Sequence, residues 1–229
     1  MIKRVIFDID NTLIPWKKEY YNKIYTVLKE LNIECTEKDF LKIKEALGEY
    51  ENNYYRFNKE LMLNFINNYT GKNYPKEFIE KIIYEWSKCV PDDLPDATIK
   101  TLEYANSKYE VVVLTDWYKE QQVKRLEKTK ILKYFQEVYS AESANRKPFK
   151  EAFMQAVGIN KPEECIMIGD NFLRDIEGAI KAGLQAIYYN PNNTEQKEKI
   201  SYYNLKNNDE IKQIKYYTIS ELKEIMNII

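Results

Sequence analysis

The chain has 229 residues, about 1.5 times the roughly 150 of a typical domain, so it holds one large domain or one domain carrying an insertion. Lys+Arg 35 against Asp+Glu 36 leaves a net charge of -1, and 44% hydrophobic with 14% aromatic residues supply a sizeable core, which excludes a disordered chain and a strong field for nucleic acid or anionic membrane. Zero histidines exclude Ser-His-Asp hydrolysis, His-ligated zinc or iron, phosphohistidine transfer and imidazole proton shuttling.

The first apolar run, residues 3–7, stops at Asp8 and Asp10, the pattern of a buried strand whose end meets a polar site. That interruption is unlike a cleavable signal, and no stretch approaches the ~20 apolar residues of a membrane helix. Cys35, Cys89 and Cys165 are far apart and form no C-x-x-C pair, so a reducing, cytoplasmic setting is expected, without membrane or nucleic-acid partners. Next, Trp16, Tyr20, Ile24, Val27, Leu28 and Leu31 recur at helical spacing. Thr36 with Asp39 resembles a capping box, and Phe40, Ile43, Leu47 and Tyr50 continue a second helix from it. Phe57, Leu61, Phe65 and Tyr69 predict a third helix ended by Gly71, and Pro75 can open a fourth with Phe78, Ile79, Ile82, Ile83 and Trp86 on its apolar face. These helices with short connections predict a small bundle.

Residues 91–96 read as a turn-rich return, after which strands and helices alternate. Strands are expected at 111–114, 137–140, 165–168, 186–189 and 216–219, with helices at 121–128, 149–157, 176–182 and 220–229. The Asn- and Lys-rich stretch 190–208 reads as surface loop or weak helix. Alternation of this kind predicts right-handed crossovers and a parallel sheet covered on both faces, an α/β architecture with an inserted helical bundle.

Ligands of open parallel sheets collect outside the carboxyl ends of the strands. Here those ends read Asp8-Ile9-Asp10-Asn11-Thr12, Thr115-Asp116 and Gly169-Asp170-Asn171-Phe172-Leu173-Arg174-Asp175, with Lys147-Pro148 on a connection between them. In this order the four segments resemble the signatures of the haloacid dehalogenase superfamily, over nearly the whole core. The resemblance implies a Rossmann-like core over 1–15 and 96–229 and a helical cap over 16–95, inserted directly after the nucleophile loop.

A carboxylate is ionised at pH 7 and can attack phosphorus, dividing one hard displacement into two easier ones. Asp8 is the candidate nucleophile. Asp10 can protonate the leaving alcohol and later take a proton from water, which requires neighbouring carboxyls with pKa values pushed apart. Asp8, the Asp10 backbone carbonyl and Asp170 form the oxygen set expected to hold Mg²⁺. Lys147 adds positive charge, Thr115 a hydroxyl, and Asp116 joins the phosphate site through its backbone N–H with those of Ile9 and Asp10. Asp175 is a helix cap or a partner of Lys147 or the metal.

Duller readings stand beside these. A strand-end Asp can merely cap a helix, Lys147 can be a solvated lysine, Thr115 an ordinary strand residue, and Tyr20, Tyr21, Tyr54 and Tyr55 packing rather than a substrate box. Family members often follow the second-signature Thr with Asn-Gly, where this chain has Asp116-Trp117. Family dehalogenases lack the second acid, here Asp10, and sugar-phosphate mutases of similar fold commonly use a cap histidine, absent here. The expected function is a Mg²⁺-dependent phosphatase of a small phosphorylated metabolite. The alternatives are 2-haloacid dehalogenation and a weakly catalytic module that binds a phosphorylated ligand. Trp16, Lys17, Lys18 and Arg56 are candidate specificity residues for a nucleotide, a sugar phosphate or phosphoglycolate. Oligomeric state stays open, a monomer being compatible with the sequence.

Overall fold

The computed structural model describes residues 1–193, 199–207 and 210–229. Its strands are β1 (Arg4–Phe7), β2 (Glu110–Leu114), β3 (Glu137–Tyr139), β4 (Cys165–Gly169), β5 (Gln185–Tyr189), β6 (Ile200–Asn207) and β7 (Glu210–Ile219). They form one sheet in the order β3-β2-β1-β4-β5-β7-β6, parallel except for the β6–β7 pair. β1 lies between β2 and β4, with Ile6 beside Val112 on one side and Met167 on the other. The chain therefore winds outward in both directions from β1, and the crevice for a ligand opens at its carboxyl end.

Alternate residues of the same strands enter opposite layers, as the two-residue period of a strand requires. Val5, Phe7, Val111, Val113, Ile166 and Ile168 pack with Leu102 of α5 (Asp96–Lys108) and Leu126 of α6 (Lys119–Lys128). Ile6, Val112, Leu114 and Met167 pack on the other face with Phe153 of α7 (Lys150–Val157) and Ala179 of α8 (Gly178–Ala182). The continuous apolar character of β1 and β4 follows from burial on both sides.

Between β1 and β2 run α1 (Lys23–Glu30), α2 (Glu37–Asn53), α3 (Lys59–Thr70) and α4 (Glu77–Trp86), the expected bundle. The Thr36–Asp39 capping box is formed, and Gly71 ends α3 at φ 71, a left-handed conformation that glycine adopts without steric cost. Ile24, Ile43, Leu47, Ile66, Phe78 and Ile82 build a core for this bundle that also takes in Tyr118 and Ala141 from the sheet region. Arg146 fastens the two parts, its backbone N–H donating to Tyr55 O at 2.7 Å and its Nε to Tyr54 O at 3.1 Å.

Three expectations need correction. Much of the stretch read as loop or weak helix is β6, an edge strand paired with β7 from Ile200 opposite Tyr217 to Asn207 opposite Glu210. Half-buried Tyr203 and Leu205 alternate with exposed Tyr202, Asn204 and Lys206, which hides a strand in polar composition, while positions 194–198 and 208 of that stretch lie outside the described residues. The final helix is instead a tight 3-10 turn, Leu222–Asn227, too short for a helical face. The helix expected at 176–182 is preceded by a wider π-type turn, Phe172–Glu177, and only Gly178–Ala182 is α-helical. No helix among the described residues is long and apolar enough to cross a membrane.

Candidate active site

The crevice is built from the sequence just past each strand. Asp8 extends β1, its N–H donating to Ile168 O at 2.9 Å, and the chain then turns so that Leu13 and Ile14 both donate to Ile9 O at 2.9 Å. Asn11 takes φ 60 in this turn, a conformation that Asn tolerates better than most residues. The turn sets the Thr12 hydroxyl 3.2 Å from Asp8 Oδ2 and 3.5 Å from Asp170 Oδ1.

β4 ends at Gly169 because Asp175 folds back over it. A Cβ at position 169 would meet Asp175 Oδ2 at 2.3 Å. Asp175 Oδ2 accepts the Asn171 N–H at 2.9 Å, and its Oδ1 lies 2.6 Å from Lys147 Nζ. The same ammonium lies 2.6 Å from Asp8 Oδ1, so Lys147 bridges the ends of β1 and the turn after β4. Lys147 and Asp175 are buried, and Asp8 keeps only 6% of its surface.

Burial pushes the Asp8 carboxyl well above its ordinary value against the opposing charge of Lys147, while Asp175 and Asp10 push it higher. Burial, then Asp175, raises Asp170 to about 6. Burial opposes the charge of Lys147, but Asp175 and Asp8 outweigh it and hold the ammonium above its usual range. Asp8, Asp170 and Asp175 offer oxygens within 4.8 Å of one another, three carboxylates against one lysine. Such an all-oxygen, acid-rich set fits a hard divalent cation. Asp175 accepts from Lys147 and the Asn171 N–H, and Asp8 accepts from Lys147 and Thr12, so Asp170 brings the least engaged carboxyl of the three.

Asp10 turns the other way. Its Oδ2 accepts from Gln122 Nε2 at 2.6 Å and its Oδ1 from Arg125 Nη1. Arg125 is fully buried, with Nε donating to Cys89 O at 3.2 Å and its guanidinium 5.2 Å from the Trp16 ring. Gln122 Nε2 also donates to Thr115 Oγ1 at 3.0 Å, as does the Trp117 N–H at 3.3 Å, leaving the Thr115 proton free to be donated into the cleft. Sequence reasoning missed Gln122 and Arg125. Their signal was present: α6 reads KEQQVKRLEK, with so few apolar residues that polar ones must fill its inner face.

All seven candidate residues, Asp8, Asp10, Thr115, Asp116, Lys147, Asp170 and Asp175, line one cleft of about 220 Å³. Asp116 points away from the catalytic floor, Oδ1 accepting the Lys147 N–H at 2.8 Å and Oδ2 lying 3.6 Å from Arg174 Nη1. Its carboxyl is raised by burial, against Lys147 and Arg174. Trp16, Tyr21, Trp86 and Trp117 wall the cleft, and Glu51 of α2 enters from above. Of the other proposed contributors, Lys17, Lys18 and Arg56 are exposed and outside this lining. Tyr54 stacks on Tyr50 at 4.5 Å, Tyr55 meets Phe149 edge-on at 4.5 Å and Tyr20 meets Trp16 at 5.3 Å, so only Tyr21 of the four tyrosines faces the cleft.

A mainly parallel sheet with acids and one buried lysine at the carboxyl ends of its central strands, beneath an inserted helical bundle, defines a capped α/β protein with a Rossmann-like core. The chain belongs to the haloacid dehalogenase-like hydrolases, whose family model matches residues 5–189. It is 28% identical over 206 residues to the glyceraldehyde 3-phosphate phosphatase of Methanothermobacter thermautotrophicus, covering 85% of this chain and 88% of that one. It is 32% identical over 117 residues to pyrimidine 5'-nucleotidase YjjG of Escherichia coli, covering 49% and 51% of the two chains. The magnesium-bound structure of the putative HAD-hydrolase YfnB from Bacillus subtilis shares the fold, with TM-score 0.69 at 19% identity over 99% of this chain and 98% of that one.

Proposed function

We propose that the chain is a Mg²⁺-dependent phosphatase that hydrolyses a small phosphomonoester through an aspartyl-phosphate on Asp8. The observation that carries this reading is Lys147 held 2.6 Å from both Asp8 and Asp175 beside Asp170 and Thr115. Phosphoryl transfer needs its cations and donors placed before the reaction, and this is such a placement.

Asp8 Oδ attacks phosphorus as the ester P–O bond breaks, and Asp10 gives its proton to the leaving oxygen. In the second step Asp10, now a carboxylate, draws a proton from water, whose oxygen displaces Asp8 from phosphorus and releases phosphate. Gln122 and Arg125 donate to the two Asp10 oxygens and so fix where its carboxyl points. Lys147 and the Thr115 hydroxyl receive phosphoryl oxygens. Asp8, Asp170 and the Asp10 carbonyl would hold the divalent ion, which would supply the charge that lets an anionic nucleophile approach an anionic phosphate.

Residues 16–95 act as the cap, opening and closing over the cleft to exclude water in the first step and admit it in the second. The free cysteines support a reducing, cytoplasmic setting. Among substrates named for the relatives, the three-carbon glyceraldehyde 3-phosphate suits this cleft better than a nucleotide. At about 220 Å³ the cleft falls below the roughly 300–1,000 Å³ common for drug-sized ligands.

Turnover of an aryl phosphate with and without Mg²⁺ tests the reading. Asp8→Asn is expected to lower kcat by about 10⁴-fold or more, as removal of an attacking group does. Unchanged activity in that variant would overturn the mechanism. Metal-independent halide release from a 2-haloacid would replace it with dehalogenation, and tight ester binding without turnover would replace it with a binding module.

A further inference from the structure

Above the catalytic floor the cleft ends in a second group of charges. Arg174 Nη1 lies 3.6 Å from Asp116 Oδ2 and 3.8 Å from Glu51 Oε2, so one guanidinium spans the turn after β4, the loop after β2 and helix α2. Arg146 stands behind them, its Nε donating to Tyr54 O at 3.1 Å and its Nη1 to Lys147 O at 3.5 Å. Glu51 and Arg174 each keep 29% of their side-chain surface, and both line the cleft.

We infer that Glu51 and Arg174 are specificity-determining residues which select a phosphomonoester whose far end is polar and uncharged, a hydroxyl or carbonyl, and discriminate against a carboxylate or ammonium there. The inference deepens the phosphatase reading and rests on it.

The reasoning is charge balance. On the floor, Asp8, Asp170 and Asp175 face one lysine, a deficit that calls for a cation. At the far end, Glu51 and Asp116 meet Arg174 and Arg146, and the formal charges cancel. An arriving carboxylate finds no excess of positive charge. A carboxylate drawn to Arg174 comes up against Glu51 and Asp116 in a partly dehydrated cleft, and crowding like charges weakens its binding. An ammonium group meets the converse penalty from Arg174 and Arg146. A hydroxyl can donate to Glu51 and a carbonyl can accept from Arg174, and neither disturbs the balance.

The test compares esters of similar size at pH 8: glycerol 3-phosphate and glyceraldehyde 3-phosphate against 3-phosphoglycerate and phosphoethanolamine. For the unaltered protein kcat/KM is expected to be at least about tenfold higher for the two neutral-ended esters, with most of the difference in KM. Glu51→Gln should raise kcat/KM for 3-phosphoglycerate by about tenfold and narrow that gap, whereas Arg174→Met should widen it. Equal use of 3-phosphoglycerate or phosphoethanolamine by the unaltered protein, or a gap that neither variant moves, overturns the inference while leaving the phosphatase reading intact. Failure to hydrolyse any of these esters and an aryl phosphate as well overturns that reading, and the inference with it.

Discussion

The floor and the far end of the cleft are both lined with charge, yet they are organised in opposite ways. On the floor three carboxylates crowd one buried lysine, and burial, followed by that crowding, raises Asp8 and Asp170 above their ordinary values. At the far end Arg174 meets Asp116 and Glu51 at 3.6 and 3.8 Å with Arg146 behind them, and the formal charges cancel. An unbalanced cluster stores a demand for a charged ligand, which suits reaction; a balanced one resists any new charge, which suits selection. Trp86, 5.4 Å from both Trp16 and Trp117, walls the same cleft, and Asp116 links the two groups, its Oδ1 accepting the Lys147 N–H at 2.8 Å.

The sharpest way to break the contrast is to remove the lysine. Lys147→Met leaves Asp8 and Asp175 buried without their cation, a change that typically costs about 3–5 kcal/mol. Denaturant unfolding without metal should register that loss, and added Mg²⁺ should restore part of it by binding the folded state. A variant as stable as the parent would mean that the floor is not held by this bridge.

A smaller effect is expected from Arg125→Met, which removes the donor on Asp10 Oδ1 without touching the metal set. Hydrolysis of an alkyl phosphate, whose leaving oxygen needs a proton, should slow by about 10²-fold, the lower range of general acid catalysis. An aryl phosphate, with its better leaving group, should slow far less. Equal losses on the two esters would show that Arg125 supports the fold rather than the orientation of Asp10.

The mildest probe is the pH dependence of stability through Glu51, whose carboxyl burial pushes up to about 7 from 4.5 despite Arg174. Between those values the folded state binds more protons than the unfolded chain, so this group makes stability fall as pH rises from about 4.5 to 7, and the loss is complete above that window. Glu51→Gln should remove that contribution. Melting temperatures followed from pH 5 to pH 8 should decline less in the variant than in the parent, and identical slopes would place Glu51 in ordinary solvent.

The strand-end residues were legible because a strand is short, apolar and stops abruptly. Once β1 and β4 are recognised as buried runs, Asp8 and Asp170 must stand at their ends, and parallel pairing in register carries both to one edge. Lys147 was legible only through family resemblance, since it sits on a connection and nothing local distinguishes it from a surface lysine. Gln122 and Arg125 escaped because a polar helix reads as exposed until something is found packed against its polar face. The strand β6 escaped for a related reason, its pairing with β7 being made by backbone groups that composition does not report.

Residue order alone therefore determined the alternation of strands and helices, the apolar bundle inserted after β1 and the acids at the ends of β1 and β4, because periodicity and strand-end polarity are local properties of the chain. Tertiary structure decided the partners. That Asp10 meets Arg125 across 115 positions, that Lys147 reaches Asp8 across 139, and that Glu51 of the bundle faces Arg174 from the sheet follow from how the layers close on one another. Distances between side chains so remote in sequence are set by packing, which no local pattern encodes.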